Sequence, residues 1–186
     1  MENGIIAVIA VLALIIIVVI IVYNNLIRKR NTAESAWSNI DVQLQRRFDL
    51  IPNLVESVKA YAKHEREVFE RIASIRASFE RSSSPKELGE LDRQMNSAVK
   101  QLFAIAENYP DLKAGGNFLM LQESLAGTEN RIAYSRNNYN QSVMSLNTAL
   151  QTFPGVIFAG IFGFTKKEFF ELEEDAMREK VEVKLN

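Results

Sequence analysis

A run of eighteen apolar side chains near the amino terminus constrains this chain more than any other feature. Residues 5–22 contain no charged or polar side chain and no proline, and the first basic residue after them is Arg28. At about 1.5 Å of rise per residue, a helix of this length covers about 27 Å, close to the ~30 Å hydrocarbon core of a bilayer. We therefore predict a transmembrane anchor over residues 1–27, with the span itself at about 5–22.

The residues that flank this run predict its orientation. Only Glu2 is charged before the run, whereas Arg28, Lys29 and Arg30 follow it. Because basic flanks stay on the cytoplasmic side, we expect the amino terminus outside and the rest of the chain in the cytoplasm. A cleaved signal peptide would need a basic start and a small-x-small cleavage site, which residues 23–26 do not supply. The absence of cysteine agrees with a reducing compartment.

The rest of the chain has the apolar periodicity of long helices. Apolar residues recur at steps of three and four, and this spacing predicts helices over about 32–81, 85–108 and 117–152. Pro52 lacks a backbone N–H, so we expect a kink or a restart of the first helix at Asp49–Pro52. The predicted fold class is all-α: an N-terminal transmembrane helix followed by an elongated antiparallel bundle of long helices over residues 28–152.

The direction of the third helix depends on the connection at 109–116, and two arrangements remain open. In the preferred one this connection is extended, and the third helix descends antiparallel to the first and pairs Leu146 with Ile40. In the other arrangement the third helix climbs away from the bilayer.

The segment 153–164 contains no charge and is rich in glycine and phenylalanine. Twelve residues are too few to cross a bilayer as a helix. Three interpretations remain open: a lid on the bundle, a segment in the headgroup region with the following lysines on anionic phosphates, or a contact with another protein. The tail at 165–186 is charged, and its role stays open. The residues expected at the membrane interface are Phe153, Val156, Ile157, Phe158, Ile161, Phe162, Phe164, Lys166 and Lys167.

Charged residues that crowd the first and third helices form a second candidate surface. They are either a charged rim that fixes the register of the bundle or a surface for self-association or another partner. These partner-surface candidates are Arg46, Arg47, Asp49, Glu56, Glu129, Arg131 and Arg136.

The chain offers little for chemistry. His64 is its only histidine and lies in a charged turn, and with no cysteine the usual zinc sites are excluded. The carboxylates at 171–175 have the pattern of a solvated tail, and no glycine-rich loop has phosphate-binding spacing. The 22 basic and 23 acidic residues produce no field that attracts nucleic acid. We therefore predict a protein that is not an enzyme, with no cofactor, no metal site and no nucleic acid partner.

Several stretches together resemble the LemA family. They include AWSNIDVQLQRR at 36–47, DLIPNLV at 49–55, ENYPDLKA at 107–114 and TENRIA at 128–133, and the resemblance extends over about residues 23–165. It implies a single-pass protein of the bacterial cytoplasmic membrane with a cytoplasmic helical domain. It also implies an association with membrane protein quality control, and it does not imply a reaction.

These observations together predict a membrane-anchored, non-enzymatic scaffold or adaptor whose first partner is the lipid bilayer. The alternative is a self-assembling coat or membrane-remodelling protein, in which the homo-oligomer is itself the functional form.

Overall fold

The computed structural model describes residues 2–170. Its helices are α1 Glu2–Lys59, α2 Arg66–Phe79, α3 Pro85–Ala106, α4 Pro110–Lys113, α5 Gly116–Gln151 and α6 Gly155–Phe162. No strand occurs within residues 2–170, which confirms the all-α class. The predicted charged tail beyond Phe170, with its carboxylates at 171–175, lies outside the described residues.

The apolar run and the first helix after it form one helix, α1, of 58 residues. Pro52 lies inside α1, so the restart expected at Asp49–Pro52 is wrong. Ile51 and Leu54, on either side of the proline, are 1% and 0% exposed. Burial of these side chains offsets the one backbone hydrogen bond that Pro52 cannot donate.

The predicted helix over 32–81 is also wrong, because the chain turns between α1 and α2. The Phe48 and Phe79 rings stack with centroids 3.8 Å apart, so α2 returns antiparallel to the end of α1. The turn begins where Ala62 N–H donates to the Val58 carbonyl at 2.9 Å, and four charged or titratable residues follow at 63–66. These residues interrupt the apolar stripe, but it resumes in α2 with nearly the same spacing. Apolar periodicity alone therefore does not separate α1 from α2.

The described chain divides into two compact units. Unit one comprises residues 2–47 and 126–169, and unit two comprises residues 48–125 and Phe170. In unit two, α2 packs on α3, and the buried side chains form an apolar core. Large buried side chains of this core on these two helices are Ile72, Ile75, Leu88, Met95, Val99 and Leu102.

The connection at 109–116 in unit two is a helical turn rather than the extended segment that we expected. Lys113 N–H donates to the Tyr109 carbonyl and Ala114 N–H to that of Pro110, at 3.1 and 2.9 Å. Pro110 at the first helical position favours this turn, because its missing N–H needs no partner there. The turn also buries Leu112.

Unit one is built on α1 and α5. These two helices run antiparallel, which is the arrangement preferred from the sequence. Trp37 packs on Tyr139 with ring centroids 5.3 Å apart, and Lys29 Nζ donates to Ser145 Oγ at 2.6 Å. This register places Leu146 in a cluster with Leu26, so the predicted pair of Leu146 with Ile40 is wrong. Apolar periodicity leaves the sliding of one helix along another undetermined, whereas these polar and aromatic contacts fix it.

Candidate membrane-interface site

The end of the apolar run is the point where α1 first packs on the rest of unit one. Val22, the last residue of the run, contacts a cluster of Leu26, Leu146, Leu150 and Ala159. Leu26 is 1% exposed, whereas the apolar window before it has no buried residue. The apolar run is therefore exposed along most of its length, and Val19 and Val22 in its last turn are half-buried.

Helix α6 lies against this end of α1, and glycines fix both of its ends. A Cβ on Gly155 would clash with the Ala149 carbonyl oxygen, so the close turn between α5 and α6 requires glycine. Gly163 ends α6 in the left-handed conformation, with φ of 68°. The next residue, Phe164, donates its N–H to the Ala159 carbonyl at 2.9 Å, as in common glycine C-caps.

The short helix α6 has a buried face and an exposed apolar face. Gly155 and Ala159 are buried against the cluster that contains Leu26, while Ile161 is 68% exposed and Phe153, just before the helix, is 80% exposed. Of the other predicted interface residues, Val156, Ile157 and Phe162 are exposed, and Phe158 and Phe164 are half-buried. One segment therefore closes the end of the α1–α5 pair and presents apolar side chains outward.

Three aromatic rings join α6 to α1 just after the apolar run. Tyr23, the first residue after the apolar run, packs edge-on against Phe162 and Phe164, with centroids 4.9 and 6.0 Å away. The Arg30 guanidinium lies 5.7 Å from the centroid of the Phe164 ring, within range of a cation–π contact. Leu26 lies about 6 Å beyond Val22 along α1, which is the depth of the headgroup region if the run fills the hydrocarbon.

The two lysines that follow the apolar segment have different surroundings. Lys166 is exposed, whereas Lys167 is half-buried and its Nζ lies 3.3 Å from Glu34 Oε1. Asn147 holds the Lys167 backbone, because its Nδ2 donates to the Lys167 carbonyl and its Oδ1 accepts from the Lys167 N–H, at 2.9 and 3.0 Å. Lys166 is therefore the more exposed of the two lysines, whereas Lys167 has a carboxylate close to its charge.

A tyrosine hydrogen bond continues this attachment one residue later. Tyr139 Oη donates to the Glu168 carbonyl at 2.8 Å. Burial raises the pKa of Tyr139 to about 12, and the Glu168 carboxylate adds to the shift. The phenol therefore stays protonated near neutral pH and remains a donor. Residues 164–168 are fastened to α5 at two points, and α6 is held at both ends.

Sequence reasoning did not identify the residues that make these attachments. Asn147 is 8% exposed and lies between the buried residues Leu146 and Leu150. A polar amide beside core positions is a signal that could have been noticed, because a buried amide needs partners. The requirement for glycine at 155 has no sequence signal beyond the preceding Phe153-Pro154.

The basic residues after the apolar run surround the site. Lys29 is engaged with Ser145, and Arg30 Nε lies 3.9 Å from Glu34 Oε1. Arg28 is exposed, and its backbone carbonyl accepts a hydrogen bond from the Thr32 hydroxyl at 2.9 Å. Of the exposed cations of unit one, Arg28 is thus the nearest in sequence to the end of the apolar run, and Lys166 is the nearest to the end of α6.

The partner-surface candidates do not all lie at the surface. Arg47 is 2% exposed, so its assignment to a partner surface is wrong, and its aliphatic stem and guanidinium are part of the interior. Arg136 is half-buried. The exposed members are Arg46, Glu129 and Arg131 in unit one and Asp49 and Glu56 in unit two, and their role in binding stays a prediction.

The described residues give no support for a metal site. Among residues 2–170, no three His, Cys, Asp or Glu side chains are grouped so that they could hold a metal ion. His64 is exposed in the turn between α1 and α2. The assignment as a non-enzyme stays a prediction.

Comparisons with known proteins agree with the resemblance seen in the sequence. The family model described as the LemA family matches residues 36–185. Magnetosome protein MamQ of Magnetospirillum gryphiswaldense is 26% identical over 80% of this chain and 64% of its own length. Protein LemA of Metamycoplasma hominis is 28% identical over 70% of this chain and 60% of its own length. The chain thus spans less than two thirds of the length of these relatives.

Proposed function

The chain belongs to the LemA family, and we propose that it is a non-enzymatic scaffold, anchored in the bacterial cytoplasmic membrane by residues 5–22, that presents its helical units on the cytoplasmic side. In this proposal α6 lies in the headgroup region and fixes unit one against the bilayer. The observation that supports it is the packing of α6, apolar face outward, on the last turn of the apolar run.

The charges around α6 also support this placement. A short interfacial helix needs apolar side chains on one side and cations at the height of the lipid phosphates. Ile157 and Ile161 supply the apolar contact, and Arg28 and Lys166 are exposed cations. Tyr23 and the phenylalanines around it match the aromatic residues that favour the boundary between lipid and water.

A scaffold also fits what this protein offers to partners. α1 runs without a break from the apolar run through unit one and into residues 48–59 of unit two, so one helix links both units to the proposed anchor. An association with membrane protein quality control remains the expectation that the resemblance supplies. Identification of the partner in such an association requires crosslinking in intact membranes.

The depth of α6 in the bilayer tests this proposal. Because the chain has no cysteine, Ile161→Cys can be labelled uniquely in the full-length protein, reconstituted into liposomes that contain lipid-borne quenchers. Val42→Cys is the matched control, since Val42 is also an exposed apolar residue of unit one but lies about 30 Å beyond Val22 along α1.

We expect the label at 161 to be quenched from within the bilayer and the label at 42 to be reached only by aqueous quenchers. Equal aqueous quenching at both positions would refute the interfacial placement of α6. Labelling of Leu14→Cys reports in the same experiment whether the apolar run itself lies in the lipid.

A further inference from the structure

The second half of α5 has a stripe of exposed residues on the side opposite its core. Its members follow one another at steps of three and four, the spacing that aligns side chains along one face of a helix. The buried residues Ile132, Tyr139, Val143, Leu146 and Leu150 form the other face. We call the exposed set the neutral stripe, and it consists of Tyr134, Asn137, Gln141, Met144, Thr148 and Gln151.

The absence of charge distinguishes this stripe from an ordinary solvated surface. Residues 137–165 contain no Asp, Glu, Lys or Arg, whereas 24% of the whole chain is charged, a share that would place about seven charges in this stretch. Tyr134 and Met144 are 75% and 58% exposed on the same stripe. Contact with water alone gives no reason for a helix face to lack charge. A second helix packed against this face would bury these side chains.

The side chains of the neutral stripe indicate which kind of partner can bind it. Asn and Gln side chains contain both a donor and an acceptor, and a hydroxyl donates and accepts as well. Such groups can pair with an identical copy of themselves, whereas a face of one charge would repel its own copy. Amides at helix contact positions form hydrogen bonds between helices and fix their register.

We propose that the neutral stripe binds the neutral stripe of a second copy of this chain, in a parallel pair of α5 helices. The parallel direction rests on the proposed function, because two chains anchored by α1 in one bilayer have the same orientation. Asn137, Gln141 and Thr148 meet their own copies across the pair, and Tyr134 and Met144 supply the apolar contact.

The charged residues of α5 lie beside this pair and not within it. Glu129 is exposed on α5 but lies off the three-and-four spacing of the neutral stripe, and Arg131 lies one turn before its first member, Tyr134. The self-association surface is thus different from the charged surface that the sequence suggested.

Cysteine crosslinking of the full-length protein in liposomes tests the pair. The single substitutions Asn137→Cys, Gln141→Cys, Met144→Cys and Thr148→Cys follow the stripe, and Glu129→Cys is the off-stripe control. In a parallel symmetric pair each stripe residue lies next to its own copy, so every stripe position should form a disulfide-linked dimer and the control should not.

Two results would overturn the proposal. One is equal crosslinking at stripe and control positions, which indicates random collision. The other is a lack of crosslinks at all four stripe positions in protein that floats with the liposomes, which rejects the pair alone. Protein that fails to float would refute the membrane anchor of the proposed function, and with it the basis of the parallel pair.

A charge substitution provides an independent readout. Gln141→Glu places like charges opposite each other, and we expect crosslinking at Asn137→Cys to fall roughly tenfold, since unscreened like charges at contact distance repel. Gln122→Glu, also exposed on α5 but within unit two, should leave crosslinking unchanged. Circular dichroism shows whether both variants keep their helices. Unchanged crosslinking in a folded Gln141→Glu variant would contradict the pair.

Discussion

Unit one and unit two are both helical and both bury apolar side chains, but unit one adds polar contacts that position a segment. Unit two buries a core that includes Ile72, Met95 and Leu102, and unit one buries one that includes Ile40, Leu44 and Val143. In unit one, Tyr139 and Asn147 also bind the backbone after α6. Apolar burial stabilises a helical bundle without fixing where each part lies. The polar contacts of unit one, in contrast, position α6 at the end of the apolar run.

The outward surfaces of unit one differ in the same way from an ordinary soluble surface. α6 exposes Ile157 and Ile161, and α5 exposes the neutral stripe. In the present account the first faces lipid and the second faces another copy of the chain. The following predictions test the comparison between the two units, from the largest expected effect to the smallest.

Leu102→Ala tests the core of unit two. Leu102 is 0% exposed, and truncation of a fully buried leucine lowers the free energy of unfolding by about 2–5 kcal/mol. Urea unfolding of the full-length protein in detergent, followed by circular dichroism, measures the loss. Leu119→Ala, at a half-exposed residue of the same unit, should change stability by less than about 0.5 kcal/mol. Equal losses in both variants would contradict the assigned core.

Gly155→Ala tests the close turn before α6 in unit one. The new Cβ meets the Ala149 carbonyl oxygen, and we expect a local loss of about 1–3 kcal/mol, seen as faster amide hydrogen exchange in α6. Gly160→Ala is the matched control, because a Cβ there meets nothing within 4 Å. It should slow exchange in α6, since alanine favours a helix more than glycine does. The opposite order of the two effects would refute the assigned packing of α6.

Asn147→Ala tests the polar attachment after α6. It removes both hydrogen bonds to the Lys167 backbone, which should cost about 1–2 kcal/mol locally and speed amide exchange at 165–169 while leaving unit two unchanged. Asn130→Ala, at an exposed asparagine of α5, should have no effect there. Faster exchange in unit two as well would show that the attachment is not local to unit one.

The pH dependence of Tyr139 gives the smallest effect. Its folded pKa of about 12 exceeds the ordinary value of 10.0, so its contribution to stability is complete below pH 10 and is lost as the pH rises toward 12. Ultraviolet titration should show a tyrosine ionisation near pH 12. Tyr139→Phe should remove this late step. A late step that persists in Tyr139→Phe would assign it to another tyrosine.

The sequence contained enough to predict the all-α class, the long apolar start of α1 and the approximate bounds of α3 and α5, because these follow from the apolar run, from apolar periodicity and from proline positions. It did not contain a clear signal for the turn at 60–65, where the stripe resumes in α2 with nearly the same spacing. It also did not determine the register of α5 on α1, since Lys29–Ser145 and Trp37–Tyr139 are contacts between residues more than 100 positions apart.

The candidate site was predicted in part for the same reason. Composition located the apolar segment 153–164, but the lid and the interfacial interpretations could not be separated without knowing which residues pack. The structure shows that the small residues Gly155 and Ala159 face inward and the large ones, such as Ile161, face outward. One helix therefore closes the end of the α1–α5 pair and presents an apolar face outward, an arrangement that no periodicity in eight residues could indicate.

The central claim is that α1 crosses the membrane at residues 5–22, with both units on the cytoplasmic side. Labelling of single cysteines with a membrane-impermeant thiol reagent, at Asn3→Cys and at Ser83→Cys in intact bacterial cells, tests it most directly. The account predicts that position 3 is labelled in intact cells and that position 83 is labelled only after the membrane is permeabilised. Labelling of both positions in intact cells, or of position 83 alone, would contradict it.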